Sequence, residues 1–341
     1  MDVENEDCRA GGLKGQCFPP GASTPEALEQ WPEEVVEDCL ADGDQDEHFA
    51  HLQDAFEKGI AIETDFSGGA GAEMSVLMIL YKFQAMFGPA AKFCFWRASD
   101  ILPSCRAVLM QGSWTTGPRH VSGDFDNRLL AAVREKCQAL YFRACSACDE
   151  MVKQGSSWKT AVASVGEQFS ASLLDQLDAV NFAADATCWC YKCASYCRLH
   201  MPADFADYLR CAIAGTVCQP FSAIGKKKKQ LARSTVSAFI WAYDLLSWLP
   251  HFAIHECTAA FPVKWFKQIL GYFYLVFTEV WCITETAWPG RRRRRYSPWM
   301  LKDQFVCLDR IGAFSIRGTR ALRHGRVDER HRLRECSGAR L

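Results

Sequence analysis

The stretch CAIAGTVCQPFSAIG, residues 211–225, joins a short apolar run to a cysteine and a proline. Its first residues, Cys211 to Gly215, are apolar or small, which is typical of a strand buried within a parallel sheet. Pro220 cannot donate to a strand ladder, so the chain is expected to leave the sheet near Cys218. The Cys218 thiol is therefore predicted at the carboxyl edge of a sheet, where open α/β folds bind ligands, although a buried structural cysteine is the alternative.

A glycine-rich segment upstream, TDFSGGAGAEMSVLMI at residues 64–79, follows an apolar stretch near Ile60. Its glycines allow a tight turn beneath a ligand before a helix predicted to begin near Ala72. The spacing differs from the dinucleotide fingerprint GxGxxG, so the segment alone indicates only a nucleotide site or a tight turn.

Two acidic residues follow at predicted strand ends. KFCFWRASD, residues 92–100, predicts a second strand ending in Asp100, and HVSGDF, residues 120–125, a third ending near Asp124. A carboxylate at the tip of the second strand can accept both hydroxyls of a ribose. Each acid alone is typical of a solvated loop, but with the glycine turn, and in this order, they indicate one ligand pocket, which the resemblance described below implies is for an adenosyl group.

Beyond the cysteine, residues 234–250 have apolar side chains at helical spacing, which predicts a core helix with one buried face and no chemistry of its own. That face consists of Phe239, Ile240, Tyr243, Leu246 and Leu249. FAIHECTAAFP, residues 252–262, then predicts a strand with Glu256 near its end. Further on, a run of five arginines, residues 291–295, ends an apolar segment; its simplest interpretation is a solvated basic stretch.

This order of motifs, from about residue 58 to residue 296, resembles the C5-cytosine DNA methyltransferases. Their catalytic loop, usually Pro-Cys-Gln-Pro-Phe-Ser, keeps five of six residues here, with Val217 in place of the first proline. Glu256 matches the glutamate of their Glu-Asn-Val element, where Cys257 replaces the asparagine. Arg292 and Arg294 match the two arginines of their Pro-Gln-x-Arg-x-Arg element.

The resemblance implies an α/β, Rossmann-like S-adenosylmethionine-dependent methyltransferase fold, with a mainly parallel sheet and helices on both faces. The implied catalytic residues are Cys218, Glu256, Arg292 and Arg294. The implied cofactor-binding residues are Phe66, Gly69, Gly71, Asp100 and Asp124. Cys218 would form a covalent adduct at C6 of a flipped-out cytosine in DNA, or alternatively RNA, while Glu256 contacts the base.

Departures from the family keep other functions open. Val217 removes a rigid proline beside the nucleophile, and Cys257 removes an amide that braces its loop. After Tyr296 the sequence shows neither a target-recognition domain nor a final element returning to the sheet. One alternative is therefore a catalytically impaired, methyltransferase-like nucleic-acid-binding or regulatory protein, and another is a zinc-stabilised interaction protein.

Charge divides the 341 residues into three predicted parts. Residues 1–57 form an acidic, disordered arm, 58–300 a catalytic domain with a cysteine-rich helical insertion at about 130–205, and 301–341 a basic, disordered tail. Residues 1–58 hold 16 acidic and 3 basic residues, whereas 291–341 hold 15 basic and 5 acidic. The acidic start lacks an apolar signal, and no span is long enough to cross a membrane, so an intracellular, nuclear protein is expected; its protein partners are unknown.

The 18 cysteines include two C-x-x-C pairs in the insertion, Cys145 with Cys148 and Cys190 with Cys193. These two pairs have the residue types of a tetrahedral zinc site, as do Cys190, Cys193, Cys197 and His200 alone. Chance spacing in a cysteine-rich chain is the alternative. No metal ligand is assigned from the sequence, and zinc stays a second cofactor candidate beside S-adenosylmethionine.

Overall fold

The computed structural model describes residues 32–33, 45–88, 91–111, 117–178, 186–217, 219–221, 228–276, 278–282 and 293–301. Its helices of seven or more residues are α1 (Gln45–Lys58), α2 (Gly71–Phe87), α3 (Pro103–Met110), α4 (Ala131–Lys153), α5 (Trp158–Asp178), α6 (Arg233–Trp248) and α7 (Lys264–Leu270). Its strands are β1 (Ile60–Asp65), β2 (Phe93–Ser99), β3 (His120–Ser122), β4 (Thr187–Cys190), β5 (Ser195–Arg198), β6 (Leu209–Gly215), β7 (Phe252–Thr258), β8 (Tyr274–Val276), β9 (Glu279–Cys282) and β10 (Arg293–Leu301).

Eight of these strands form one sheet in the order β3-β2-β1-β6-β7-β10-β8, with β9 paired to β10. The first five in this order are parallel to one another, and β10 runs antiparallel to β7, β8 and β9. The predicted Rossmann-like, mainly parallel α/β fold is confirmed. The chain moves outward from β1 in one direction and from β6 in the other, so the switch point lies between β1 and β6.

Helices cover both faces of the sheet, as predicted. Leu209, Cys211 and Ile213 of β6 pack into one apolar cluster with residues of α1, α2 and α3. Ala212 and Ala214 of the same strand belong to a second cluster with α4, α5, α6 and α7. Because successive strand side chains point to opposite faces, β6 separates the two cores.

The helix α6 differs from its prediction. A single buried face was expected, but buried residues include Val236, Ile240, Trp241 and Asp244, which lie all around the helix. The reason is its position, because α6 contacts α5 and α7 as well as the sheet-side core. Asp244 also takes part in the electrostatics described below, so the core helix is confirmed but the prediction of a single buried face is wrong.

The end of the arginine run belongs to the sheet, and the residues that follow Leu301 lie outside the described part of the chain. β10 continues through Leu301 and pairs with β7 from Arg294 opposite Thr258 to Met300 opposite Phe252. On its other side it pairs with β9 through Tyr296 and with β8 from Trp299. Pro298 lies opposite Ile254 of β7, between the β10 residues that pair with β9 and those that pair with β8.

Within residues 117–178 and 186–217, the chain after β3 forms α4 and α5, then the β4–β5 hairpin, before it enters the sheet at β6. The two helices pack on each other, and α5 supplies buried Phe169, Leu173 and Leu177 to the second core. None of the helices in the described part of the chain is long and apolar enough to span a bilayer.

Candidate functional site

The turn after β1 is strained and tightly held. Phe66, Gly68 and Ala70 have φ values of 57°, 57° and 67°. For a residue other than glycine, this left-handed conformation costs about 1–2 kcal/mol. The Gly68 N–H donates to Asp100 Oδ2 at 2.8 Å, and the Ser67 N–H donates to the Ser99 carbonyl at 3.0 Å. The end of β2 therefore holds the turn in this shape.

Asp100 also braces the backbone around it. Its Oδ1 accepts the Leu102 N–H at 2.7 Å while Oδ2 accepts Gly68, so both carboxylate oxygens already hold backbone N–H groups. A carboxylate oxygen has two lone pairs, so one on each oxygen is left for a ligand hydroxyl. Asp100 is thus first a brace for the glycine turn.

Space for a ligand is present beside this turn. A Cβ added at Gly68, Gly69 or Gly71 would meet no heavy atom of the described residues within 4 Å. The N-terminus of α2 begins at Gly71, where backbone N–H groups point outward without helical partners. Open room beside the N-terminus of a helix at a strand-to-helix turn suits a polar, ribose-containing ligand.

Beneath the turn lies a buried carboxyl that the sequence motif does not single out. Glu73, in the first turn of α2, is fully buried and its Oε1 accepts the Thr64 hydroxyl at 2.5 Å. Burial raises the pKa of Glu73, although hydrogen bonds from Ser67 and Thr64 oppose the shift. Its position two residues after Gly71, on a predicted helix, was the available signal.

Asp124 lies two residues beyond β3, where its Oδ1 accepts the Asp126 N–H at 3.0 Å and caps a short 3-10 turn, Phe125–Arg128. Phe125 in that turn stacks on Phe66, with ring centroids 4.7 Å apart and planes 4° from parallel. The stacked rings join the segment holding Asp124 to the glycine turn, and so bring Phe66 and Asp124 to one region.

Glu256 lies at the other side of the switch point. It is paired with Gly215 in the register of β6 and β7. A Cβ added at Gly215 would lie 3.5 Å from Glu256 Oε2 and 3.8 Å from the Phe66 carbonyl oxygen. The half-buried carboxylate of Glu256 therefore covers the end of β6 and faces the turn after β1.

Cys218 lies outside the described residues, but the chain on either side of it is fixed. The Thr216 hydroxyl is 2.7 Å from His255 Nε2, and the Cys257 thiol donates to the Thr216 carbonyl at 3.8 Å. After the cysteine, the Phe221 ring packs on Phe261 at 5.2 Å and on Trp265 at 5.9 Å. Residues of β7 and the segment after it thus hold both flanks of the predicted nucleophile.

For the two predicted arginines the structure describes only the backbone of Arg294. Arg292 lies outside the described residues. The backbone of Arg294 lies in β10 opposite Thr258, two residues along β7 from Glu256, and its side chain lies outside what the structure describes. Tyr296, rather than an arginine, is the β10 residue opposite Glu256.

A buried ionic group, which we call the Arg128 network, consists of Asp65, Arg128, Asp244 and His200. The Arg128 guanidinium donates to Asp65 Oδ1 at 2.6 Å and to Asp244 Oδ2, and it lies 3.7 Å from the Phe125 ring centroid. His200 Nε2 lies 3.3 Å from Asp244 Oδ1. Burial alone would raise the pKa of Asp244, but Arg128 and His200 hold it well below its usual range.

A second polar group, the cysteine–histidine cluster, consists of His120, Cys190, Cys193 and Cys197, whose ligand atoms lie within 4.8 Å of one another. Burial raises the pKa of Cys190, but hydrogen bonds from His120 and two backbone N–H groups outweigh it and lower that pKa to about 6. Burial and the neighbouring thiols raise the pKa of Cys193 to about 12.

Neither zinc set predicted from the sequence is assembled in full. Cys145 and Cys148 lie on α4, where Cys148 is buried in the apolar core. His200 lies against Asp244 and Ser247. His120, which completes the cluster, was missed because it precedes Cys190 by 70 residues and belongs to no local motif.

No protein-family model matches the chain, and no curated protein is significantly similar to it. Among solved structures, a protein described as a DNA modification methyltransferase from an E. coli prophage is 14% identical, with a TM-score of 0.35 over 72% of this chain and 48% of that one. The methyltransferase EhMeth of Entamoeba histolytica is 12% identical, with a TM-score of 0.37 over 72% and 53%. The S. pombe Dnmt2 methyltransferase is 11% identical, with a TM-score of 0.35 over 73% and 54%. This chain spans about half the length of these three proteins, each of which is titled a methyltransferase.

Proposed function

We propose that this protein is an S-adenosylmethionine-dependent methyltransferase that acts on C5 of cytosine in DNA through Cys218. One observation carries the proposal: Glu256, Gly215 and the Phe66 carbonyl converge at the switch point between β1 and β6. Ligands of open α/β sheets bind at such a point. The motif that carries Cys218 follows directly after β6, three residues beyond Gly215.

The residues around the glycine turn fit the proposed cofactor. Open space lies beside Gly69 and Gly71, each carboxylate oxygen of Asp100 keeps one lone pair, and Asp124 lies next to the Phe125 ring that stacks on Phe66. Phe66, Gly69, Gly71, Asp100 and Asp124 would hold the adenosyl group. When bound, the cofactor supplies a methyl group on a positively charged sulfur.

The chain's own chemistry is carried by a thiolate and a carboxyl. The Cys218 sulfur adds to C6 of the cytosine ring, which makes C5 nucleophilic. After C5 has been methylated, a proton acceptor removes the C5 proton and the sulfur–carbon bond breaks again. The Glu256 carboxyl, protonated when the nucleobase binds, donates to ring N3 and accepts from the exocyclic amine, and so stabilises the adduct as it forms. Arg292 and Arg294 favour the thiolate form of Cys218 and contact the O2 oxygen of the nucleobase. The proposed substrate is DNA in the nucleus of the cell, with RNA as the alternative.

Val217 and Cys257, which depart from the family pattern, lie beside contacts that hold the chain next to the predicted nucleophile. Cys257 replaces a bracing asparagine, yet its thiol donates to the Thr216 carbonyl, and His255 holds the Thr216 hydroxyl. These contacts support a nucleophile loop that is positioned by β7 in spite of Val217. They favour catalytic activity over the catalytically impaired alternative.

Covalent trapping tests the proposal. The full chain is incubated with S-adenosylmethionine and duplex DNA that carries 5-fluorocytosine. Fluorine replaces the C5 hydrogen, so no proton can be removed from C5 and the covalent adduct persists. A denaturing gel is expected to show a protein–DNA adduct for the wild type and for the control Cys145→Ala, whose cysteine lies on α4. Cys218→Ala should form none.

Parallel arms separate the alternatives. An adduct that forms only with 5-fluorocytosine RNA would move the substrate from DNA to RNA. Protein that binds S-adenosylmethionine by calorimetry but forms no adduct with either nucleic acid would reject catalysis and leave the impaired, regulatory alternative.

A further inference from the structure

The four ligand atoms of the cysteine–histidine cluster have the spacing of a tetrahedral metal site. His120 Nδ1 lies 3.8 Å from Cys190 Sγ and 3.6 Å from Cys193 Sγ. A zinc ion with bonds of roughly 2.3 Å to sulfur and roughly 2.0 Å to nitrogen separates tetrahedral sulfur and nitrogen ligands by about 3.5 Å. The ring nitrogen and the two sulfurs are therefore already near the separation that a bound ion requires.

Backbone hydrogen bonds prepare the cluster for a cation. The N–H groups of Cys193 and Val121 each donate to Cys190 Sγ at 3.4 Å. Such donors stabilise a thiolate and orient the sulfur, as contacts around metal ligands commonly do. Cys193 is exposed, so an ion has a path from solvent.

The hairpin that carries the cysteines is a small element at the edge of the main sheet, which it joins through the Tyr191 N–H bond to the Val121 carbonyl at 2.7 Å. β4 and β5 form a separate two-stranded sheet, and isolated hairpins of two strands are marginally stable in water. Trp189, Tyr191 and Tyr196 on this hairpin are exposed, at 41%, 41% and 71%. A metal ion that joins the hairpin to His120 on the main sheet would add to the packing of its buried residues Cys188 and Cys190.

We propose that His120, Cys190, Cys193 and Cys197 bind a structural zinc ion that fastens the β4–β5 hairpin to the end of β3. All four tetrahedral positions are filled by protein side chains, which is the arrangement of structural rather than catalytic zinc sites. The zinc ion has no part in the methyl transfer chemistry.

The site has a consequence for the neighbouring loops. The Tyr191 ring at the hairpin tip packs against Gly123, where an added Cβ would lie 3.0 Å from the ring. The Cζ atom of Arg106 lies 4.1 Å from the centroid of the same ring. Arg106 in turn donates to the Asp100 carbonyl at 3.0 Å. Zinc thereby supports the segments that hold Asp100 and Asp124, so its loss should also weaken S-adenosylmethionine binding, a consequence that rests on the proposed function.

Metal analysis of the full chain tests the site directly. Protein purified without chelators is expected to contain about one equivalent of zinc by mass spectrometry. Cobalt exchanged into the site should give the strong visible bands of tetrahedral coordination and a thiolate-to-cobalt band. Cys145→Ser, which removes a thiol of the other C-x-x-C pair, should leave both results unchanged, whereas Cys193→Ser should lose zinc at least tenfold more readily to a competing chelator.

A ligand exchange keeps the test independent of folding. Cys193→His retains four ligands, so it should still bind one cobalt ion, with the thiolate-to-cobalt band reduced by about one third because two of three thiolates are left. Less than about 0.3 equivalents of zinc in the wild type, an equivalent of iron in its place, or equal loss of zinc in Cys145→Ser would each overturn the proposal. Normal zinc content with a failed trapping experiment would reject the proposed function alone.

Discussion

The Arg128 network and the cysteine–histidine cluster both place polar groups close together, but they balance charge in opposite ways. In the network, one guanidinium lies between two carboxylates, and an imidazole lies beside the second. In the cluster, three sulfurs and a ring nitrogen converge, and all four are electron-pair donors to a cation. The network supplies a cation to its own carboxylates, whereas the cluster contains only donors and, in our proposal, is balanced by an added ion.

The largest expected effect comes from breaking the network. Arg128→Met should lower the free energy of unfolding by about 3–5 kcal/mol, because Asp65 and Asp244 are then left buried beside each other without their cation. Denaturant titration measures the loss. The matched control is Arg143→Met, at an exposed arginine of α4, which should change stability by less than about 0.5 kcal/mol. Equal effects in both variants would show that the network contributes little.

Acid should act through the same network. The pKa of Asp244 is lowered in the folded state, so its stabilising contribution is complete above the unfolded pKa of about 4 and is lost as pH falls below it. The wild type should therefore lose stability between about pH 4 and pH 2, and Arg128→Met should show a weaker loss in that range. Parallel acid profiles for the two proteins would contradict this assignment.

Zinc should separate the two groups. Free zinc at about 100 times its Kd should stabilise the wild type by about 2.7 kcal/mol over chelated protein. Arg128→Met should keep this increment, and Cys190→Ser should lose it. Hydrogen exchange should place the chelator-induced opening in β4 and β5. An increment that vanishes in Arg128→Met, with its fold intact by circular dichroism, would mean that the two groups are not independent.

The smallest effects concern the glycine turn, where the cost is backbone strain and not charge. Gly68→Ala should cost about 1–2 kcal/mol, because its φ of 57° is left-handed. Gly69→Ala is the matched control, since its added Cβ also meets open space and its φ is not in that region; it should change stability by less than about 0.5 kcal/mol. If the cofactor lies beside the turn, Gly69→Ala will nevertheless weaken S-adenosylmethionine binding in calorimetry.

Local patterns were sufficient for much of this protein. Apolar runs ending in glycines, Asp100 or Glu256 predicted the parallel strands and their carboxyl ends, because strand side chains alternate and turns require particular residues. The glycine turn, Asp100 and Glu256 lie at the same edge of the sheet because each follows or ends a strand and these strands run in the same direction. The chemistry proposed for Cys218, Arg292 and Arg294 stays a prediction from sequence.

By itself, then, the sequence determined the α/β class and the residues at its strand ends. Tertiary structure alone decided the partners: Arg128 meets Asp65 and Asp244 across separations of 63 and 116 residues, and His120 meets Cys190 across 70. It also decided that α6 is buried on all sides and that β10 returns to the sheet. The physical reason is that backbone periodicity is local, whereas charge pairing and metal ligation depend on which distant segments the packed sheet brings together.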